Sequence, residues 1–450
     1  MRVKGVPMKL QLSDHFNYRR LLRFTFPSII MMIFTSIYGV VDGIFVSNFV
    51  GKTPFAAINL IMPFLMIFGA IGFMIGTGGS ALVAKTMGEG DKEKANRLFS
   101  MLIYLSILFG VSLTVIGIVF LRPISALLGA EGQMLEDCVT YGRIILIALT
   151  AFILQNEFQS FLIAAEKPTL GLIVTVAAGL TNIVLDALFV AVFEWGLVGA
   201  AVATAISQAV GGIVPLIYFI LPNKSLLRLT RFTFDGKALL KTCTNGSSEM
   251  MTNLSMSLVN MLYNFRLMEY AGENGIAAYG VIMYIGFVFI AVFIGYSIGV
   301  APIVGYHFGA ENHTELKSLL RKSMIILCVF SVLMTVSAEL LATPLSMIFV
   351  GYDEALLELT VRGFMLYSIC FLVVGFNIFG SSFFTALNDG LVSAIISFLR
   401  TLLFQIGAVL LLPLILELDG VWLAVVAAEL AALVVTVFCF VRLKGKYHYM

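Results

Sequence analysis

Two aspartates stand where lipid-soluble helices would carry none. Asp42 comes late in an apolar run that begins near Phe24, and Asp186 comes equally late in a run that begins near Pro168. Both runs start from the basic side of a membrane, so both carboxyls belong to one outer layer. An ionisable group at that depth is expensive, and its default use is functional, facing other helices or water. Oxygen-bearing groups surround each. Thr35, Tyr38 and Asp42 follow at +3 and +4, and Thr175, Gly179, Asn182 and Asp186 at +4, +3 and +4, so each set shares a helical face. Gly179 keeps its face open to close approach. Asn182, one turn before Asp186, can hydrogen-bond it or share a cation with it, and Thr204 enters the returning helix near the same layer. Two carboxylates, an amide and a hydroxyl suit a proton or a hard cation such as Na⁺, so Asp42, Asn182, Asp186 and Thr204 are the candidate ligands. Hydrogen bonds that merely hold the bundle are the alternative for each.

Further along, Glu249, Asn253, Ser257, Asn260 and Asn264 recur at +4, +4, +3 and +4 and form one polar stripe. Such a stripe lines a water-filled cavity or zips helices together, and a cavity is expected here. Arg400 and Glu429 lie deep in two runs that should pack antiparallel, so an ion pair is expected between them. Pro27 removes a backbone hydrogen bond a few turns before Asp42 and favours a bend there. The 21 Met and 38 Phe would make adaptable apolar walls. Glu157, Glu339 and Glu417 receive no role.

The elements that must position these groups are membrane-spanning helices. Of the 450 residues 60% are hydrophobic and only 12% charged, with a mean hydropathy of +1.01, more apolar surface than a water-soluble domain can hide. Twelve runs are long enough to span: near 24–47, 55–84, 97–121, 141–163, 168–192, 197–221, 240–268, 276–304, 320–343, 362–386, 391–414 and 419–442. Of the 28 Lys and Arg, 22 fall on one side, from Arg2, Lys4 and Lys9 through Lys85, Lys237 and Lys322 to Lys446. Both termini are therefore expected in the cytoplasm of a multi-pass cell-membrane protein. No cleavable signal peptide is expected, because the first 18 residues are polar and basic. The net charge of +2 averages this asymmetry and gives no reason to expect nucleic acid. The five cysteines lack metal or disulfide spacing.

The chain is also written twice. Segment 76–95, GTGGSALVAKTMGEGDKEKA, matches 297–316, SIGVAPIVGYHFGAENHTEL, at an offset of 221, which pairs Gly78 with Gly299 and Gly88 with Gly309. The same register pairs Gly51 with Gly272 and Gly142 with Gly363. A six-helix repeat enters the membrane twice from one side, so it is a parallel repeat about an axis along the membrane normal. The expected fold is all-α and integral to the membrane. It has twelve transmembrane helices in two six-helix lobes, residues 1–236 and 237–450, around a central cavity.

VDGIFVSNFVG (41–51) with Ala56 and Ala57, GTGGSALVAKTMGEGDKEKA (76–95), NIVLD (182–186) and GLVGAAVATAISQ (196–208) resemble the multidrug and toxic compound extrusion family. The resemblance implies a secondary antiporter that exports organic, often cationic or amphipathic, compounds in exchange for Na⁺ or H⁺. In the branch with an acidic N-lobe, archaeal and DinF-like, it places the coupling site on Asp42, Asn182, Asp186 and Thr204, with Tyr38 and the bending Pro27 also matching. It departs from the NorM-like pattern: no acid occurs in the tenth run, and Glu249 lies several residues before that branch's seventh-helix glutamate. The expected partners are a small organic substrate and the lipid bilayer, with no cofactor beyond the coupling ion and no obligate protein partner. A lipid-linked oligosaccharide or lipid flippase is the rival transporter, although only Arg400 is deep and basic. An enzyme is not expected. There is no HExxH, and the GKT at 51–53 lacks the glycine that a phosphate loop needs five residues earlier, where Val46 stands.

Overall fold

The computed structural model describes residues 10–50 and 52–450; Arg2, Lys4, Lys9 and Gly51 lie outside the described residues. The first lobe begins with α1 (Tyr18–Phe49), α2 (Lys52–Gly88) and α3 (Lys92–Leu127). α4 has two pieces, Gly132–Ile147 and Leu149–Ala164, bent by 54°. α5 (Pro168–Val192) ends in a π-helical turn from Ala187, and α6 (Gly196–Ile220) closes the lobe. A non-helical connector, 221–235, lies along α3, where the Thr230 N–H donates to Ser100 Oγ at 2.7 Å and the Arg228 N–H to Asn96 Oδ1 at 2.8 Å.

The helical run Gly236–Gly309 has 74 residues. As one straight helix it would be about 111 Å long, more than three times the thickness of a hydrocarbon core. Gly272 divides it, with φ 61° and ψ −150°, a conformation open essentially to glycine alone. Tyr263 and Tyr279, on either side of the break, stack with centroids 4.9 Å apart and planes 7° apart, so the chain doubles back. This gives α7 (236–271) and α8 (273–309). α9 (His313–Val350), α10 (Glu354–Ser368 and Phe371–Ala386, bent by 50°), α11 (390–416) and α12 (418–447), the last two divided at Glu417 with φ 50° and ψ −129°, bring the described residues to twelve helices. Several outrun the apolar runs that announce them. α9 extends well beyond 320–343 at both ends, because helices continue into the polar zone that hydropathy does not mark. α1 is continuous through Pro27. Large apolar side chains stand exposed along the helices, including Leu340, Val434 and Val119. This is the surface that lipid covers.

The repeat is visible in three dimensions. Asp91 caps α3 by accepting from the Lys94 N–H, and Asn312, 221 residues later, caps α9 by accepting from the Glu315 N–H. The left-handed residues Glu166 and Asn388 (φ 58° and 59°) follow the two bent helices at an offset of 222. The contacts between lobes are reciprocal. A Cβ on Gly88 would stand 1.9 Å from the Tyr306 carbonyl oxygen, and a Cβ on Gly309 would stand 2.0 Å from that of Lys85. Each pair is the other displaced by 221. Likewise Gly78 abuts the Gly246 backbone, and Gly299 abuts Thr25. α2 and α8 therefore cross with backbones touching, as small residues allow between membrane helices, around a local two-fold axis.

These approaches all lie in the halves of the helices nearest the basic loops. The segment before α1 reinforces the closure. The Leu12 N–H donates to Glu166 Oε1 at 2.7 Å in one lobe, and the Phe16 N–H donates to Glu315 Oε1 at 2.9 Å in the other. His15 Nδ1 meets Glu315 Oε2 at 2.6 Å, and Lys322 donates to the Phe16 carbonyl. In the opposite halves of α1 and α8, by contrast, a Cβ on Gly39 or Gly280 would meet nothing within 4 Å. The lobes are shut at the basic face and parted at the other. Gly309→Ala should force the lobes apart at the basic face and destabilise the protein by about 1–3 kcal/mol, the usual cost of overpacking. Gly280→Ala should leave stability unchanged or slightly raised. Thermal unfolding of the two purified variants checks this, and equal midpoints would refute the closure as the origin.

Candidate functional site

Asp42, on the inner face of α1, and Asp186, at the end of the regular part of α5, meet inside the first lobe. Asp42 lies within side-chain hydrogen-bonding reach of both Asp186 and Asn182. Asp186 is fully buried and Asn182 is 2% exposed. Among the described residues neither oxygen of Asp186 has an N–H or O–H donor, Asp42 Oδ1 has none, and Asn182 Nδ2 has no acceptor. Two carboxyls in contact can bond each other only by sharing a proton, and both stay charged most readily around a cation. The sequence that brings them together is partly glycine. A Cβ on Gly179 would stand 2.5 Å from Phe34 Cε1 and 3.0 Å from Tyr38 Cδ1, so its absence lets the Tyr38 ring lie against α5. α6 is pinned to α5 by Ser207 Oγ, which donates to the Ala178 carbonyl at 2.8 Å.

The other candidates are placed less closely. The Thr204 hydroxyl donates to the Ala200 carbonyl of its own helix at 3.0 Å, and no hydrogen bond ties it to the carboxyls among the described residues. Thr35 likewise bonds back to Met31. Tyr141 of α4 carries no polar pattern in sequence, yet it is 3% exposed and close enough to Asp42 and Asp186 to feel both charges. Glu157, also on α4, is fully buried with the Ser106 hydroxyl in reach. No cluster of three or more His, Cys, Asp or Glu able to hold a metal occurs among the described residues. The oxygens gathered here fit a proton or a single monovalent cation.

A second polar region lines a cavity between the lobes, mostly within the second lobe. Thr77, Ser80 and Ser160 of the first lobe face Glu249, Asn260, Tyr263, Tyr279, Arg400 and Glu429 of the second. The expected stripe on α7 contributes only Glu249 and Asn260. The cavity face is completed by Thr252, Met256, Val259 and Tyr263, while Asn253, Ser257 and Asn264 sit on the adjoining face. The reason is rotational, because one residue of slip along a helix turns the face by about 100°. Asn253 instead donates to the Glu249 carbonyl at 2.8 Å. The expected ion pair is present, with Arg400 Nε donating to Glu429 Oε1 at 2.8 Å. Asn377 holds the same glutamate by donating to Oε2 at 2.7 Å and to the backbone carbonyl at 2.8 Å, and the Thr436 hydroxyl donates to Asn377 Oδ1 at 2.9 Å. Arg400 projects from a π-helical turn, Leu399–Leu403, a feature often found at functional sites.

Known proteins share this architecture. The chain is similar to the multidrug export protein MepA of Staphylococcus haemolyticus, 27% identical over 71% of each chain, and to that of Staphylococcus aureus, 23% identical over 92% of each. Its fold matches the crystal structure of a MATE protein in complex with MaL6 at a TM-score of 0.92, with 23% identity over 98% of this chain and 99% of the other. It also matches a structure described as the outward-facing conformation of a multidrug resistance MATE family transporter of the MOP superfamily (TM-score 0.91, 23% identity, 98% and 99% coverage). A MOP superfamily transporter from Pyrococcus furiosus, described by the reverse polarity of its binding pocket, gives 0.89 at 23% identity, covering 99% of this chain and all of the other. The MatE family profile matches twice, over 27–188 and 250–410, once in each lobe and over most of the sequence. The chain belongs to the MatE family, the multidrug and toxic compound extrusion transporters.

Proposed function

We propose that this protein is a secondary antiporter of the cell membrane that exports organic, cationic or amphipathic compounds from the cytoplasm by alternating access, driven by inward movement of Na⁺ or H⁺. One observation carries the reading: the fully buried Asp186 carboxyl, with no N–H or O–H donor on it among the described residues, lies within hydrogen-bonding reach of the half-buried Asp42 carboxyl. Such a pair changes its charge whenever a proton or cation arrives or leaves. With the termini and basic loops in the cytoplasm, the closed basic face is the inner gate and the parted halves open outward. The ion then reaches Asp42 and Asp186 from outside. H⁺ needs only the two carboxyls, whereas Na⁺ would also draw on Asn182 Oδ1 and the free lone pairs of Thr204 and Tyr38. Neutralising the pair removes the charge that opposes burial and lets the lobes close around it. An inward membrane potential contributes about 2.3 kcal/mol per charge per 100 mV. The names of the Staphylococcus relatives support export of varied compounds. The flippase reading is not favoured, because among the described residues that line the cavity one base, Arg400, stands against two acids, Glu249 and Glu429.

Asp42→Asn and Asp186→Asn should each keep the fold and lower gradient-driven transport of tetraphenylphosphonium in proteoliposomes by about a hundredfold, the low end for loss of one proton-transfer group. Imposed pH and Na⁺ gradients, applied separately, identify the ion. Wild-type rates from either variant would remove the pair from the mechanism. Gly179→Val should drive Tyr38 and Phe34 off α5 and slow transport about tenfold while leaving equilibrium binding of tetraphenylphosphonium intact. Loss of binding and transport together would instead mean that Gly179 only packs the lobe.

A further inference from the structure

The connector between the lobes descends along the flank of α3. Asn96, Ser100 and Tyr104 follow at four-residue spacing and put three polar groups on one face of that helix. These groups take up the connector backbone. The Arg228 N–H donates to Asn96 Oδ1 and the Thr230 N–H to Ser100 Oγ, and the Tyr104 hydroxyl donates to the Thr230 carbonyl at 3.3 Å. Phe232 then lies edge-on to the Tyr104 ring, with centroids 6.3 Å apart. From the level of Asn96 to that of Tyr104 the connector drops about 12 Å toward the membrane interior. Non-helical backbone at such a depth needs protein partners for its polar groups, and α3 supplies them. Tyr104 also heads the exposed stripe of α3, which continues through Leu108, Val111, Val115 and Val119.

Two features of this segment have no counterpart within the chain. Phe232 is 52% exposed and Phe234 62%, and Leu240, in the first turns of α7, is exposed as well. Arg228, Arg231, Lys237 and Lys241 are also exposed, and none forms an ion pair among the described residues. The one acid between 221 and 241, Asp235, is engaged at the start of α7, where its carboxylate accepts from the Lys237 and Ala238 N–H groups at 3.0 Å. Arg228 at the Asn96 level lies toward water and Phe232 at the Tyr104 level toward lipid. That is the order of polarity through a headgroup layer.

We infer that the connector is a docking surface for anionic phospholipid of the leaflet at the basic face, with Phe232 and Phe234 among the upper acyl chains and Arg228, Arg231 and Lys237 on the phosphates. Charge and continuity select this occupant. Basic side chains at a membrane surface draw in anionic lipid, and guanidinium forks match phosphate oxygens. The aromatic pair extends the α3 stripe that lipid covers, so a soluble partner would have to displace lipid to reach it. Because the connector joins the lobes, lipid held here anchors the joint between them. Neither the coupling ion nor the cavity takes part in this contact.

Phe232→Trp places a fluorophore in the connector of the full chain, reconstituted in nanodiscs of phosphatidylcholine and phosphatidylglycerol. The emission of Trp195 and Trp422, measured in the unsubstituted protein, is subtracted. Bromine near the top of the acyl chains, carried by one lipid or the other at equal mole fraction, quenches an indole that touches it. Brominated phosphatidylglycerol should quench the introduced fluorophore about threefold or more strongly than brominated phosphatidylcholine, since each nearby base favours the anionic lipid. Adding Arg228→Gln, Arg231→Gln and Lys237→Gln should make the two lipids quench alike. Lys317→Gln, Arg442→Gln and Lys444→Gln remove the same charge elsewhere on the basic face and should leave the preference intact. Equal quenching by both lipids before any base is removed would overturn the anionic site. So would a preference that survives the connector changes, or one that both triple changes abolish. Quenching by aqueous iodide but by neither lipid would place Phe232 in water and overturn the docking surface altogether.

Discussion

Carboxyls that touch inside a lipid-embedded bundle impose a condition on everything around them. Asp186 is fully buried and Asp42 lies against it, so their combined charge cannot stand uncompensated in a medium of low dielectric. Most buried polar groups in proteins answer such a demand with a fixed partner. The second lobe does so: Glu429 is bonded by Arg400 and twice by Asn377, and Asn377 is held by Thr436. In the first lobe both oxygens of Asp186 and one of Asp42 have no donor among the described residues. A fixed arginine would have silenced the site. Its absence makes the charge state depend on what arrives, and that is the property an ion-driven transporter requires.

The duplication serves a different need. Rocking lobes must seal tightly at one face and still come apart, and a seal built from side chains would have to repack at each cycle. The reciprocal contacts of Gly88 with Tyr306 and of Gly309 with Lys85 bring backbone against backbone instead. Rigid surfaces without rotamers to reorder lose little entropy on closing. They also separate without leaving long side chains to rearrange. Because each contact is the other displaced by 221 residues, the seal is symmetric although the chemistry it guards is not. The paired acids lie in one lobe, and the charged aromatic cavity lies mainly in the other.

Much of this was legible in the chain, for physical reasons that also set the limits. Twelve apolar runs, the 221-residue register and the two aspartates are one-dimensional signals, because lipid penalises polarity at every depth. The Arg400–Glu429 pair was equally readable, since two deep charges of opposite sign on neighbouring antiparallel helices have few other partners. The face of α7 that lines the cavity was not. Residues 249, 253, 257, 260 and 264 make as good a helical stripe as 249, 252, 256, 260 and 263, and only packing against α8 and α11 decides between them. Tyr141 gave no signal because an aromatic residue in an apolar run breaks no rule. The π-helical turn at Leu399–Leu403 was equally silent, since its extra residue leaves the composition unchanged.

Under the proposed antiport, the asymmetry between the lobes bears on how energy would pass from ion to substrate. If ion and substrate shared one site, each would expel the other directly. Here the Asp42–Asp186 pair and the Arg400–Glu249 cavity lie in different lobes, and the N-lobe wall of the cavity is made by Thr77, Ser80 and Ser160 of α2 and α4. α2 is also the helix whose backbone seals against α8, and α4 is the helix that carries Tyr141 beside the carboxyls. A change in charge at the pair therefore meets the cavity through the same rigid helices that form the seal. Coupling in such a frame requires no relay of side chains between the sites. It requires that the charged and neutral forms of the pair favour different positions of α2 and α4, and that each position presents the cavity to a different side.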